Sequence, residues 1–172
     1  EQIGGKSREK VSGIACDSKN NIYIAGNFFE YLLSEKEKVK SQGNQDFIIA
    51  CYGENGSIKN IWRGGGAGFD EISCIALSGD DNIIFGGTIT DSITFGDKSY
   101  KGKGNRLFLA SMNLHGKLSW FIPMIINERA TISFIDTDIQ GNIYISGVFS
   151  GNISVGNLMT KSKGKEDIFI AK

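Results

Sequence analysis

The sequence predicts an all-β fold built from three copies of one unit of about 60 residues. Three observations predict it. A hexapeptide recurs in one register, as Asn21-Ile22-Tyr23-Ile24-Ala25-Gly26, Asn82-Ile83-Ile84-Phe85-Gly86-Gly87 and Asn142-Ile143-Tyr144-Ile145-Ser146-Gly147, spaced 61 and 60 residues apart. Glycine is frequent at 23 residues, proline occurs once and isoleucine is abundant, a composition of short strands joined by tight turns. No stretch sustains the apolar period of a helix.

Each unit opens on a strand near residues 11–16, where Val11, Ile72 and Ile132 correspond, as do Ile14, Ile75 and Ile135. A polar turn follows, Asp17 to Asn21 in the first unit and Asp138 to Asn142 in the third. The second strand, 22–26, is apolar on both faces, which suits a strand sandwiched between neighbouring sheets. A third, more polar strand is expected over 28–39, 89–100 and 149–160. Residues 29–40 alone read as a short helix, but Ser92-Ile93-Thr94-Phe95 and Asn152-Ile153-Ser154-Val155 at the same place read as strand, so strand is expected there too. Gly43, Gly104 and Gly164 then precede a fourth strand, Phe47-Ile48-Ile49-Ala50, Leu107-Phe108-Leu109-Ala110 and Ile168-Phe169-Ile170-Ala171. A glycine turn (Asn55-Gly56, His115-Gly116) leads to a segment ending in Trp62 or Trp120, which are expected to correspond.

Such a unit cannot bury both faces of its sheet alone and must stack on a copy of itself. Radial stacking gives a propeller and linear stacking a solenoid; the unit length fits a propeller blade. The expected fold is one partial propeller domain over residues 1–172, with units at about 1–63, 64–124 and 125–172. It has three propeller-like blades of about four antiparallel strands, the last blade truncated. Structural roles are expected for Trp62, Trp120, Asp46, Asp167, Gly26, Gly87 and Gly147. Closed propellers have four to eight blades. Three units therefore imply a portion of a larger protein, a chain that pairs with another chain, or an open arc docked on a partner; the first is the expectation.

These residues resemble the bacterial SBBP-type β-propeller repeats. The pattern is fullest in the third unit, from Asp138 through Val148-Phe149, then Val155-Gly156, then Gly164 to Lys172. The first unit adds Gly56, Trp62 and Gly64-Gly65, while the second departs with Ser78 in place of the turn aspartate and Arg106 before its fourth strand. The resemblance implies a secreted or bacterial cell-surface protein whose repeats serve as scaffold or protein-interaction module without a shared activity.

Lysine plus arginine balance aspartate plus glutamate at 19 each, which argues against nucleic acid as partner and against a polybasic membrane mode. No apolar run approaches the roughly 20 residues of a membrane-spanning helix. Residues 1–5 lack the basic and apolar regions of a signal peptide. Cys16, Cys51 and Cys74 are widely spaced and read as small buried hydrophobes.

Asp136-Thr137-Asp138 with Gly141 resembles the start of a calcium loop, but no acidic residue closes it; a hairpin turn with Asp138 bonding backbone N–H groups is the competing expectation. Asp46 and Asp167 are expected to make a repeated structural hydrogen bond. Gly64-Gly65-Gly66-Ala67-Gly68 lacks the Lys-Ser/Thr of a phosphate loop. His115 is the one histidine and sits in a turn, which argues against a His-based triad or metal site. Carboxylate-only glycosidase chemistry would draw on Glu30, Asp70, Glu71 and Asp91, none of which the sequence pairs. The sequence-based reading is a non-catalytic extracellular scaffold with a protein partner or further blades of the same propeller and no cofactor. A carbohydrate-binding module is the alternative, and a polysaccharide-active enzyme the third. A lectin would repeat one aromatic and polar set in each unit; Tyr31, Ser92 and Asn152 correspond and differ.

Overall fold

In the computed structural model, which describes residues 2–172, the chain is all-β, with no helix among those residues. Fifteen strands form three antiparallel sheets. The first sheet contains β1 (Lys10–Cys16), β2 (Ile22–Leu33), β3 (Lys38–Tyr52) and β4 (Ile58–Gly65), in that order. The second contains β5 (Glu71–Leu77), β6 (Asn82–Thr90), β9 (Asn105–Asn113) and β10 (Leu118–Ile126). The third contains β11 (Ala130–Thr137), β12 (Ile143–Phe149) and β15 (Asp167–Ala171).

The polar third segment is strand as expected, but not as a further strand of its own unit's sheet. In the second unit it is a hairpin, β7 (Ile93–Phe95) and β8 (Lys98–Tyr100), added to the outer edge of the first sheet through Gly64–Phe95 and Gly65–Thr94. In the third unit the hairpin of β13 (Asn152–Val155) and β14 (Leu158–Lys161) joins the second sheet at Ile125–Ser154 and Ile126–Ile153. The first unit repeats the contact as a bridge from Leu33 to Gly4. The cause is a backbone kink at one repeated position: Glu30, Asp91 and Gly151 all have positive φ, at 54°, 64° and 69°. With that kink the hairpin stays continuous with β2 and β3 in the first unit, through Tyr31–Lys40, and in the second and third units leaves its own sheet for the edge of the preceding one.

The repeat extends to irregularities. The first strand of each sheet carries a β-bulge that passes over a serine, Ser12, Ser73 or Ser133. Opposite the bulge lie Gly26, Gly87 and Gly147. There the backbone of the first strand comes so close that a methyl on Gly87 or Gly147 would overlap the carbonyl of Glu71 or Thr131.

The sheets stack face to face, with β1 beside β5 and β5 beside β11. The main core fills the first interface, where Phe47, Phe85, Phe95 and Phe108 pack as a ring cluster with centroids 5.4–6.3 Å apart. A smaller core of Cys74, Leu107, Met124, Ile132, Ile145, Phe149 and Ile153 fills the second interface. Cys51 and Cys74 are buried as expected; Cys16 is exposed, because it ends the first strand on the open side of the first sheet.

Candidate functional site

Large exposed apolar side chains gather on the third sheet and the hairpin beside it. Phe134, Ile168 and Ile170 stand out from the sheet, each more than 70% exposed, and Leu158 and Met159 do the same on β14. In the second sheet the counterpart of Ile168 is Leu107, fully buried by the third sheet. The contrast is one of position: the same strand pattern is core where a sheet covers it and surface where none does.

Next to this face an apolar cleft of about 530 Å³ opens between β10 and the third sheet. Its walls include Leu109, Trp120, Ile122, Ile145, Val155 and Phe169. The matching space in the first interface is filled. There Phe121 of β10 stacks on Phe108, with centroids 5.3 Å apart, and on Tyr100 at 4.3 Å. Phe169 and Thr160 occupy the counterpart positions and line the open cleft. Among the described residues, β15 pairs with β12 on one edge and with no strand on the other. At the opposite end of the stack, Val11 and Ile14 of β1 are 69% and 63% exposed.

Trp62 and Trp120 turn out not to be equivalent. Trp62 pairs with Ile49, whose counterpart Leu109 pairs with Ile122; Trp120 lies two residues earlier, opposite Ser111. Both connections reach their strand two residues after the turn glycine and pair in the same register, so Trp62 corresponds to Ile122 and Trp120 to Asn60. Trp62 seats against Gly116, whose φ is +82°. Trp120 lines the cleft.

The turn aspartates are committed to their turns. Asp17 accepts from the backbone N–H groups of Lys19 and Asn21 at 2.8 Å, from Asn21 Nδ2 and from the Tyr23 hydroxyl. Asp138 accepts the same four bonds from Gln140, Asn142 and Tyr144. In the second unit Ser78 and Asp80 share the task around Asn82. Burial pushes the Asp17 carboxyl up, and its donors outweigh that and leave it below the usual carboxylate value. The Asn142 amide leads the donors that hold Asp138 low, and the Ser78 hydroxyl does so for Asp80. Asp136, the other calcium candidate, accepts from the Thr137 N–H. No group of three or more metal-ligating side chains converges among the described residues.

Asp46 accepts from Gln42 N–H and Asp167 from Lys163 N–H, the same i−4 contact in two units. Asp46 is fully buried and ion-paired with Arg63 at 2.7 Å, and its Oδ1 has no hydrogen-bond partner. Asp70, also fully buried, accepts from Gly66 and Thr90 N–H groups, a structural role the sequence does not signal. Burial pushes both carboxyls up. Of the other acidic candidates, Glu71 pairs with Lys10, Asp91 accepts from Gly104 N–H and Glu30 sits at the positive-φ kink of β2. Burial also raises the Cys74 thiol to about 11. Lys38 lies over the Tyr31 ring, 4.0 Å from its centroid.

No protein-family model and no curated protein matches the chain. No helix among the described residues is long and apolar enough to cross a membrane.

Proposed function

We propose that the three sheets are blades of a propeller-type repeat scaffold of the SBBP kind, and that the protein is a non-catalytic interaction module at a bacterial cell surface or outside the cell. The observation that carries this reading is the concentration of exposed apolar side chains on the third sheet, beside an apolar cleft and an unpaired strand edge. A face of this kind is costly to leave in water and is the usual mark of a protein–protein contact. The repeat supports the same reading, since what recurs between units is buried strand, turn and bulge. The partner is a protein or further blades of the same propeller, with no nucleic acid, no membrane insertion and no cofactor.

The carbohydrate reading has less support, because the loop position shared by Tyr31, Ser92 and Asn152 differs in each unit and Tyr31 is already covered by Lys38. A test combines two measurements. Wild type should bind an apolar fluorescent dye more strongly than a variant carrying Ile168→Asp and Ile170→Asp, and no member of an oligosaccharide panel should raise the melting temperature. A saturable rise with any saccharide, or equal dye binding by the two proteins, would sink the proposal.

A further inference from the structure

We propose that the cleft between the second and third sheets receives an extended β-strand from a further repeat unit, which pairs antiparallel with the free edge of β15. This rests on the interaction-module reading and specifies the partner. The internal repeat supplies the occupant. β15 corresponds to β9 and to the second half of β3. β9 carries β10 on its outer edge, and β3 carries β4. Both of those strands are held in their own sheets, so neither is free to cross to β15.

The register follows from β9 and β10. Ala110 pairs with Phe121, Phe108 with Pro123 and Leu107 with Met124. Moved onto β15, the incoming strand sets a residue of the Phe121 type opposite Ala171, and its next inward residue opposite Phe169. From there an aromatic ring reaches Phe169, as Phe121 reaches Phe108. The surrounding walls, Leu109, Ile122, Ile145 and Val155, offer apolar contact, and Lys172 is the one charged residue of the lining. Main-chain pairing with β15 supplies affinity, and alternate side chains in the cleft supply selectivity. The occupant is therefore an extended segment with a large aromatic at one inward position and an apolar residue three positions before it, as Leu118 stands to Phe121.

The probe is a synthetic peptide of residues 114–124, flanked by lysines for solubility and added to the full chain. Binding is read by fluorescence anisotropy of the labelled peptide and by hydrogen exchange of β15. The peptide is expected to bind saturably and to slow β15 exchange. A peptide with Phe121→Asp, and a protein with Ala171→Arg, should each weaken binding by about tenfold or more. Ala171 is partly exposed but packs against the second core, so if Ala171→Arg lowers the melting temperature the Phe121→Asp peptide, which leaves the protein unchanged, decides. Binding without β15 protection, equal binding by the Phe121→Asp peptide, or β15 protection that grows with protein concentration alone would each overturn the proposal; the last would mean that a second copy covers the edge. If the peptide fails while the dye contrast between wild type and the Ile168/Ile170 variant holds, the strand proposal falls and the interaction-module reading stands. A saturable saccharide response removes the module reading itself.

Discussion

Asn27 of the first sheet clamps the backbone of Ile72 in the second. Its Oδ1 accepts the Ile72 N–H at 2.8 Å, and its Nδ2 donates to the Ile72 carbonyl at 2.9 Å. Ile72 is fully buried at the β5 bulge, so its backbone groups have left water and need these partners. Asn27→Ala is expected to cost about 2–3 kcal/mol, the price of two orphaned buried backbone groups, read as a fall in the denaturation midpoint at unchanged slope. The counterpart of Asn27 in the second unit is Thr88, and there the Ser73 hydroxyl bonds the Ile132 carbonyl at 2.6 Å instead. A loss for Asn27→Ala no larger than that of an exposed site would remove this clamp from the description of the sheet interface.

Trp62 makes a further cross-sheet contact. A methyl on Gly116 would overlap its indole, and the positive φ at Gly116 already disfavours any other residue. Gly56 has a similar φ of 79° and open space around it. Gly56→Ala should therefore cost only the backbone term of about 1 kcal/mol. Gly116→Ala should cost clearly more, because the tryptophan must also move. Equal thermal shifts for the two variants would mean that Trp62 is not seated on this turn.

The Arg63–Asp46 pair gives a pH-dependent prediction. Removing the arginine leaves a fully buried carboxylate without its counter-charge, at a cost of about 3 kcal/mol near neutral pH. Burial already raises the Asp46 carboxyl, and losing Arg63 raises it further. For an acid whose native pKa lies above its unfolded one, charging penalises the native state, and the penalty disappears as pH falls from the native value to the unfolded one. The gap between Arg63→Ala and wild type should thus narrow on acidification towards about pH 4, the ordinary aspartate value. A gap that stays constant or widens would rule out an uncompensated Asp46 charge as its cause.

The turn aspartates act in the opposite sense. Asp17, Asp80 and Asp138 are held below their ordinary value, so their contribution is complete above about pH 4 and is lost as pH falls through the native values. Asp17→Ala should cost about 1–2 kcal/mol at neutral pH. It should lose less stability than wild type on further acidification below pH 4, because it has one such carboxylate fewer. Parallel pH profiles for the two proteins would show that the Asp17 bonds do not stabilise the turn.

Much of this fold was legible in the sequence because its determinants are local and recur. The apolar run at Ile22-Tyr23-Ile24 and the glycines after the second strand each state their structure three times, and the turn from Asp17 to Asn21 twice. The destination of the polar hairpin was not legible. Its pairing depends on the kink at Glu30, Asp91 and Gly151, three different residues sharing one backbone angle, which no residue pattern reports. The tryptophan match misled for a different reason: the residue type repeats, but at two different places on strands that otherwise share one register and one bulge. The apolar cleft was equally hidden, since Phe169 reads as core from sequence, and only the lack of a ring in the place of Phe121 makes it a wall. The burial of Asp70 was not legible either, because an acid after a glycine-rich stretch looks like any loop residue.

The most direct measurement is hydrogen exchange of the isolated chain, comparing β15 with β9. The two strands match in sequence pattern, but β9 lies between β6 and β10, whereas β15 is paired on one edge alone. An open edge predicts that β15 amides exchange orders of magnitude faster than those of β9 in dilute protein. Equal protection of the two strands would contradict it, because the edge and cleft assigned to a partner would already be closed.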